Sequence, residues 1–139
     1  MQKCEAYQKL CEYTLSKQDA EFIHQLFIDA HTAQTASKAD KPIGLVFALV
    51  GLCLHIEFGF DGRQVQKAHM LLARRKHDLP KITIPDDRGE TYATRILAIG
   101  AGTERDAAIH QWTKDVWAMF AESERQKIRD YLANHQIAR

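Results

Sequence analysis

Cysteine, proline and glycine are all sparse in this chain of 139 residues, at three, three and seven. So few helix breakers leave room for long helices. Cys4, Cys11 and Cys53 are odd in number and lack Cys-x-x-Cys spacing, which excludes a disulfide framework and a dithiol redox motif. Met1 to Glu5 carries no apolar signal segment, so the expected compartment is a reducing cytoplasm. Net charge is almost absent: 19 Lys and Arg stand against 18 Asp and Glu, and no global field draws the protein to nucleic acid or anionic lipid. Alternation of apolar and polar residues is confined to Ile82-Thr83-Ile84, in a stretch with two of the three prolines, Pro80 and Pro85. That stretch, residues 77 to 90, reads as an extended loop with at most one short strand, and no sheet can be built from it. The uncharged run Ile43 to Ile56 is too short for a membrane span, since 14 helical residues cover about 21 Å of a roughly 30 Å hydrocarbon core.

What the chain does have is helical periodicity. Cys4, Tyr7, Cys11, Thr14 and Leu15 share one face of a first helix over residues 2 to 16. In a second, over 18 to 35, Phe22, Ile23, Leu26, Phe27, Ala30 and Ala33 fall on one side, Gln34 lies within that sector, and His24 and His31 border it. Pro42 suits the first turn of a central helix over about 42–58, apolar all round and therefore the buried centre of a bundle. Asp61 is a good N-cap for a helix over 62 to 76, with Val65, Ala68, Leu71 and Leu72 inward and Arg63, Lys67 and Arg74 outward. A short helix over 91 to 99 precedes Gly100-Ala101-Gly102. Thr103 with Asp106 then reads as a capping box for a long helix to Ala121, and Ser123 with Gln126 as another for a last helix through Asn134. The expected fold is all-α: one domain, 1–139, of five or six helices around the central one.

The strings Cys4 to Glu12, His24 to Gln34, Gly51-Leu-Cys-Leu54, and Ala107 to Trp112 with Val116-Trp117 are similar to a family of small uncharacterised bacterial helical proteins, a domain of unknown function. The resemblance implies the all-helical fold and a bacterial origin, and no reaction. Some members begin with a paired-cysteine motif of zinc-ribbon appearance. Cys4 and Cys11, seven apart and without a second pair, do not match it, so no structural zinc is implied at this N-terminus.

Seven histidines are the main chemical resource, since imidazole is the commonest metal ligand and titrates nearest neutrality. His24, His55 and His110 come from three different helices. If they converged they could hold a divalent metal with an open position, with Glu21, Asp29 or Asp106 completing the shell or acting as base. Glu21 and His24 have the Glu-x-x-His spacing of di-metal bundles, but the second such pair those bundles need is lacking. The competing account is structural: these side chains border apolar faces and hydrogen-bond locally, and a buried Asp29 takes a partner such as Arg95 or an N-terminal helix amide. His31, Gln34, Trp112 and Trp117 are candidate ligand or interface residues.

No Gly-x-Ser-x-Gly, no Gly-x-x-x-x-Gly-Lys loop and no strand before Gly100-Ala-Gly102 is present, which argues against common hydrolase and nucleotide-binding classes. The stripe Arg63, Lys67 and Arg74, extended by His77, is the one candidate nucleic-acid face, and it lacks interleaved aromatics. The leading expectation is a binding or interaction module that self-associates, as a homodimer by the general prior, through an exposed aromatic such as Trp117 or Tyr131. The alternative is a metal-dependent helical-bundle enzyme of hydrolase or transferase type. Weak nucleic-acid binding stands third.

Overall fold

The computed structural model describes residues 3–75, 78–89 and 93–137, with the side chains of Lys3 and Cys4 outside that description. The helices are α1 (Lys3–Ser16), α2 (Ile23–Thr35), α3 (Pro42–Phe58), α4 (Gly62–Ala73), α5 (Ala93–Ala98), α6 (Thr103–Met119) and α7 (Glu122–Asn134). No strand occurs among the described residues.

Helix α3 is the axis, and α2, α4, α6 and α7 pack around it. Val46, Ala48 to Leu54 and the helices facing them form the core, in which Val50, Leu52, Cys53 and Leu54 are wholly buried. Each such side chain contributes about 1.5–3 kcal/mol by leaving water, so a helix without a polar face is stable only at the centre. The limits of α3 follow from its sequence. Pro42 takes the first turn and Gly59, at φ +73°, closes the other end with its N–H on the Leu54 carbonyl. Helix α1 lies outside, against α2 and α5.

Caps decide where several elements begin. Asp61 and Gln64 form a reciprocal capping box on α4, each side chain taking the other's backbone N–H at 2.9 Å. The two boxes expected at Thr103 and Ser123 do not form. Helix α6 starts at Thr103 behind Gly102, and α7 starts at Glu122 behind Ala121, neither with a side-chain cap. Asp106 instead accepts from the Tyr13 hydroxyl at 2.7 Å and Lys17 Nζ at 2.6 Å, tying α6 to α1. Buried Arg105 caps a different helix, donating to the Ile99 and Leu97 carbonyls at the end of α5.

The burial of three residues differs from expectation. Leu71 is half-exposed, beside the still more exposed Met70, because the buried line of α4 runs through Val65, Ala68 and Leu72. Trp117 and Tyr131, expected as exposed anchors of self-association, are both 4% exposed. Trp117 points inward because Glu57 on α3 accepts its indole N–H at 2.9 Å, and Arg129 on α7 closes on the same carboxylate with bonds of 2.7 and 2.8 Å.

Candidate functional site

Between the first turn of α3 and the extended segment 79–86 lies a cleft of about 850 Å³. Pro42, Leu45 and Val46 form one wall, and Leu79, Pro80, Ile82 and Ile84 the other. Lys38, Lys41 and Lys81 stand at its rim with Asp40 and Asp86. None of the three lysines makes an ion pair among the described residues. A groove of about 400 Å³ adjoins it, sharing Asp40, Lys41 and Leu45, and His31 lines that groove.

The outer wall is irregular backbone, and a loop with apolar side chains would close on the α3 wall unless held. It is held at two places. Buried Glu124 on α7 accepts the Thr83 N–H at 2.7 Å, and Lys127 bridges Glu124 Oε1 to the Lys81 carbonyl at 2.9 and 2.8 Å. These N–H and ammonium contacts hold the Glu124 carboxyl at about 2, well below its ordinary value. Further along, the Gln34 side chain donates to the Arg88 carbonyl at 2.7 Å while its Oε1 accepts the Trp112 indole N–H at 2.8 Å. Arg88 returns a bond to the Gln34 carbonyl and another to Pro85. Gln34 and Trp112, read from sequence as ligand or interface residues, are buried and occupied in fastening this wall. Ile82-Thr83-Ile84 is not a strand, because the Thr83 N–H goes to a carboxylate.

Glu124→Gln removes the charge but keeps an acceptor, and should lower stability by about 1.5–3 kcal/mol near neutrality. A depressed carboxyl contributes stability above its unfolded value of about 4.5 and loses it as pH falls toward about 2. The gap between the two proteins in urea melts should therefore be constant from pH 8 to 5 and narrow below. A gap independent of pH would mean that the Glu124 charge contributes nothing.

Of the three histidines that a metal site would need to converge, two meet. His55, in the last turn of α3, and His110, on α6, approach at 3.3 Å between His55 Nε2 and His110 Nδ1. His24 is engaged elsewhere, its Nδ1 2.8 Å from the Thr14 hydroxyl, which donates back to Leu10. Among the described residues no three His, Cys, Asp or Glu side chains are grouped as a metal site. Asp106 has both oxygens committed to Tyr13 and Lys17. Burial lowers the His110 pKa, His55 lowers it further, and Glu21 and Asp106 oppose both.

Asp29 is fully buried, and its partner is Gln25, at 3.0 Å, where Arg95 was expected. Its second oxygen has no hydrogen bond among the described residues, and burial drives its pKa well above its ordinary value. Gln25 extends the line at 3.5 Å to His69, whose Nε2–H donates to the Phe47 carbonyl at 2.7 Å. His31 lies tilted against Tyr7, with centroids 4.1 Å apart and planes inclined by 31°, and burial lowers its pKa. Arg63, Lys67 and Arg74 are exposed as expected, while His77 lies outside the described residues.

Sequence reasoning passed over His69, Glu57, Glu124 and the rim lysines. The one local signal for the cleft is Leu79, Ile82 and Ile84 among prolines and lysines, a loop too apolar to be fully solvated. No described helix is long and apolar enough to cross a membrane.

Comparison with curated proteins and with solved structures finds no match for this chain. A family model does match, over residues 2–121, most of the chain, and the protein thus belongs to the family of unknown function DUF5946.

Proposed function

We propose that this protein is a binding module whose cleft between α3 and segment 79–86 takes a small amphipathic anion, an apolar body bearing a carboxylate. The observation that carries this reading is the combination of apolar walls held by hydrogen-bonded ties with three lysines at the mouth that make no ion pair among the described residues. The volume falls within the range of ligand pockets, about 300–1,000 Å³. An anionic head at the rim meets Lys41 and the first turn of α3, where the helix dipole adds to the attraction. Asp40 is a poor competitor for these lysines, since its carboxylate accepts the Ser37 N–H at 2.9 Å.

Decanoate titrated into the full chain, followed by amide NMR, is the test. Saturable shifts at Leu45, Val46, Ile82 and Ile84 are expected, and Lys41→Glu with Lys81→Glu should weaken binding by about tenfold, or about 1.4 kcal/mol. Decanol should bind the native protein more weakly than decanoate. Shifts that never saturate, or equal affinity for acid and alcohol, would overturn the reading.

Self-association has lost the two aromatic anchors expected for it. The exposed apolar pair on α4, Met70 and Leu71, sits on a helix with no acidic residue, so pairing two copies through this face would oppose like charges.

A further inference from the structure

We infer that the ligand is a branched carboxylate, of the kind an N-acyl amino acid presents, with a long apolar arm in the cleft and a short neutral arm in the adjoining groove. The inference rests on the reading of the cleft as a carboxylate site and adds the second arm to it.

The two hollows are neighbours across one ridge. Lys41, at the N-cap of α3, and Leu45, one turn further on, line both of them, as does Asp40. A carboxylate held by Lys41 therefore lies at the junction of a hollow of about 850 Å³ and one of about 400 Å³. A straight chain with its acid at one end fills only the first. An acid carried on a branch point fills both. Asp40 stands on the same ridge, so a second negative charge on the short arm is disfavoured by like-charge repulsion.

The groove offers a short arm both apolar surface and hydrogen bonds. The end of α2 supplies His31, Thr32 and Thr35, and the start of α3 supplies Ile43 and Gly44. The His31 ring is half-buried and backed by two aromatic rings, Tyr7 at 4.1 Å and Trp112 edge-on at 6.2 Å between centroids. Its nitrogens and the Thr32 hydroxyl make no hydrogen bond among the described residues. Burial lowers the His31 pKa, so the ring is neutral near pH 7 and presents one donor and one acceptor.

Room is not limiting, since a cavity of about 150 Å³ takes a benzene ring. Gly44 keeps the α3 side open. It is exposed, and a Cβ placed there meets no atom within 4 Å. A larger side chain at this position would occupy the groove at no cost to packing, which makes Gly44 the point at which the second arm can be excluded.

The test compares decanoate, N-decanoylglycine and N-decanoyl-L-phenylalanine on the full chain, by calorimetry and amide NMR. The phenylalanine conjugate is expected to bind about tenfold more tightly than the glycine conjugate, which has the same acyl chain, amide and carboxylate. It alone should shift His31, Thr32 and Gly44, a readout on the native chain that needs no variant. Gly44→Leu should bring the two conjugates within about twofold of each other. Equal affinities, or a preference that survives Gly44→Leu, would sink the second arm, and saturable decanoate binding in the same series would leave the cleft reading standing. Failure of decanoate itself to saturate would remove both.

Discussion

Replacing Gly51 by alanine is expected to lower stability by about 2–4 kcal/mol, although helix propensity alone would raise it by about 1 kcal/mol. A Cβ built at Gly51 would stand 1.8 Å from Asp29 Oδ2 and 2.7 Å from its Cγ, with Val65 at 3.1 Å. Asp29 is buried and bonded to Gln25, so its carboxyl can withdraw only by giving up that bond or displacing buried neighbours. The clash therefore wins over propensity. The sign should reverse once the obstacle is removed: with Asp29→Ala, the alanine at 51 becomes neutral or stabilising. Four proteins in urea melts complete the cycle. An equal loss in both backgrounds would place the obstacle at Val65 and sink the account. The pH dependence is a second reading of the same contact. A carboxyl raised by burial contributes stability below its unfolded value near 4 and loses it as pH rises through the folded value. The Asp29→Ala proteins should lack that decline.

Gly62→Ala should be at least as damaging, with a loss of about 3 kcal/mol or more and a melting temperature lower by about 10 °C or more. Here the obstacles are backbone atoms that cannot rotate aside: the Phe22 oxygen at 1.8 Å, the Glu21 oxygen at 2.7 Å and the Phe22 carbonyl carbon at 2.7 Å. Phe22 already sits in the left-handed region, at φ 55° and ψ 60°, and its carbonyl accepts the Gln25 N–H. An added methyl must push the turn before α2 away from the start of α4. The Asp61–Gln64 box is local to α4 and should survive, so circular dichroism should still report helix. Thermal melting checks the magnitude, and a decrease under about 3 °C would show that the turn yields freely.

Features set by neighbouring residues were legible in the sequence. Pro42 and Gly59 bound the central helix within a residue or so of its observed ends, and Asp61 announced the start of α4, while its reciprocal partner Gln64 was passed over. Features set by partners far along the chain were not. Thr103 and Asp106 have capping-box spacing, yet Tyr13 and Lys17, some 90 residues earlier, take the carboxylate first. Leu71 follows helical spacing as well as Leu72 does, and only the direction in which α3 lies separates them. Trp117 and Tyr131 read as surface aromatics because nothing local marks α7 as folding back on α3 through Glu57 and Arg129. His55 and His110 were singled out for their chemistry, but their meeting, and the absence of His24 from it, depends on how α1, α2, α3 and α6 pack. The cleft lies between a helix start and a loop that share no pattern.

The chain has only two tryptophans, and each donates its indole N–H to one side-chain acceptor at a different joint. Trp112 ends on Gln34, which fastens the Arg88 end of the cleft wall. Trp117 ends on Glu57, which Arg129 uses to seat α7. Intrinsic fluorescence is thus divided by construction into two local reporters: one indole follows the outer wall, and the other follows the closing helix of the bundle. In single-tryptophan forms, the order in which those two emissions change during unfolding would record which joint opens first.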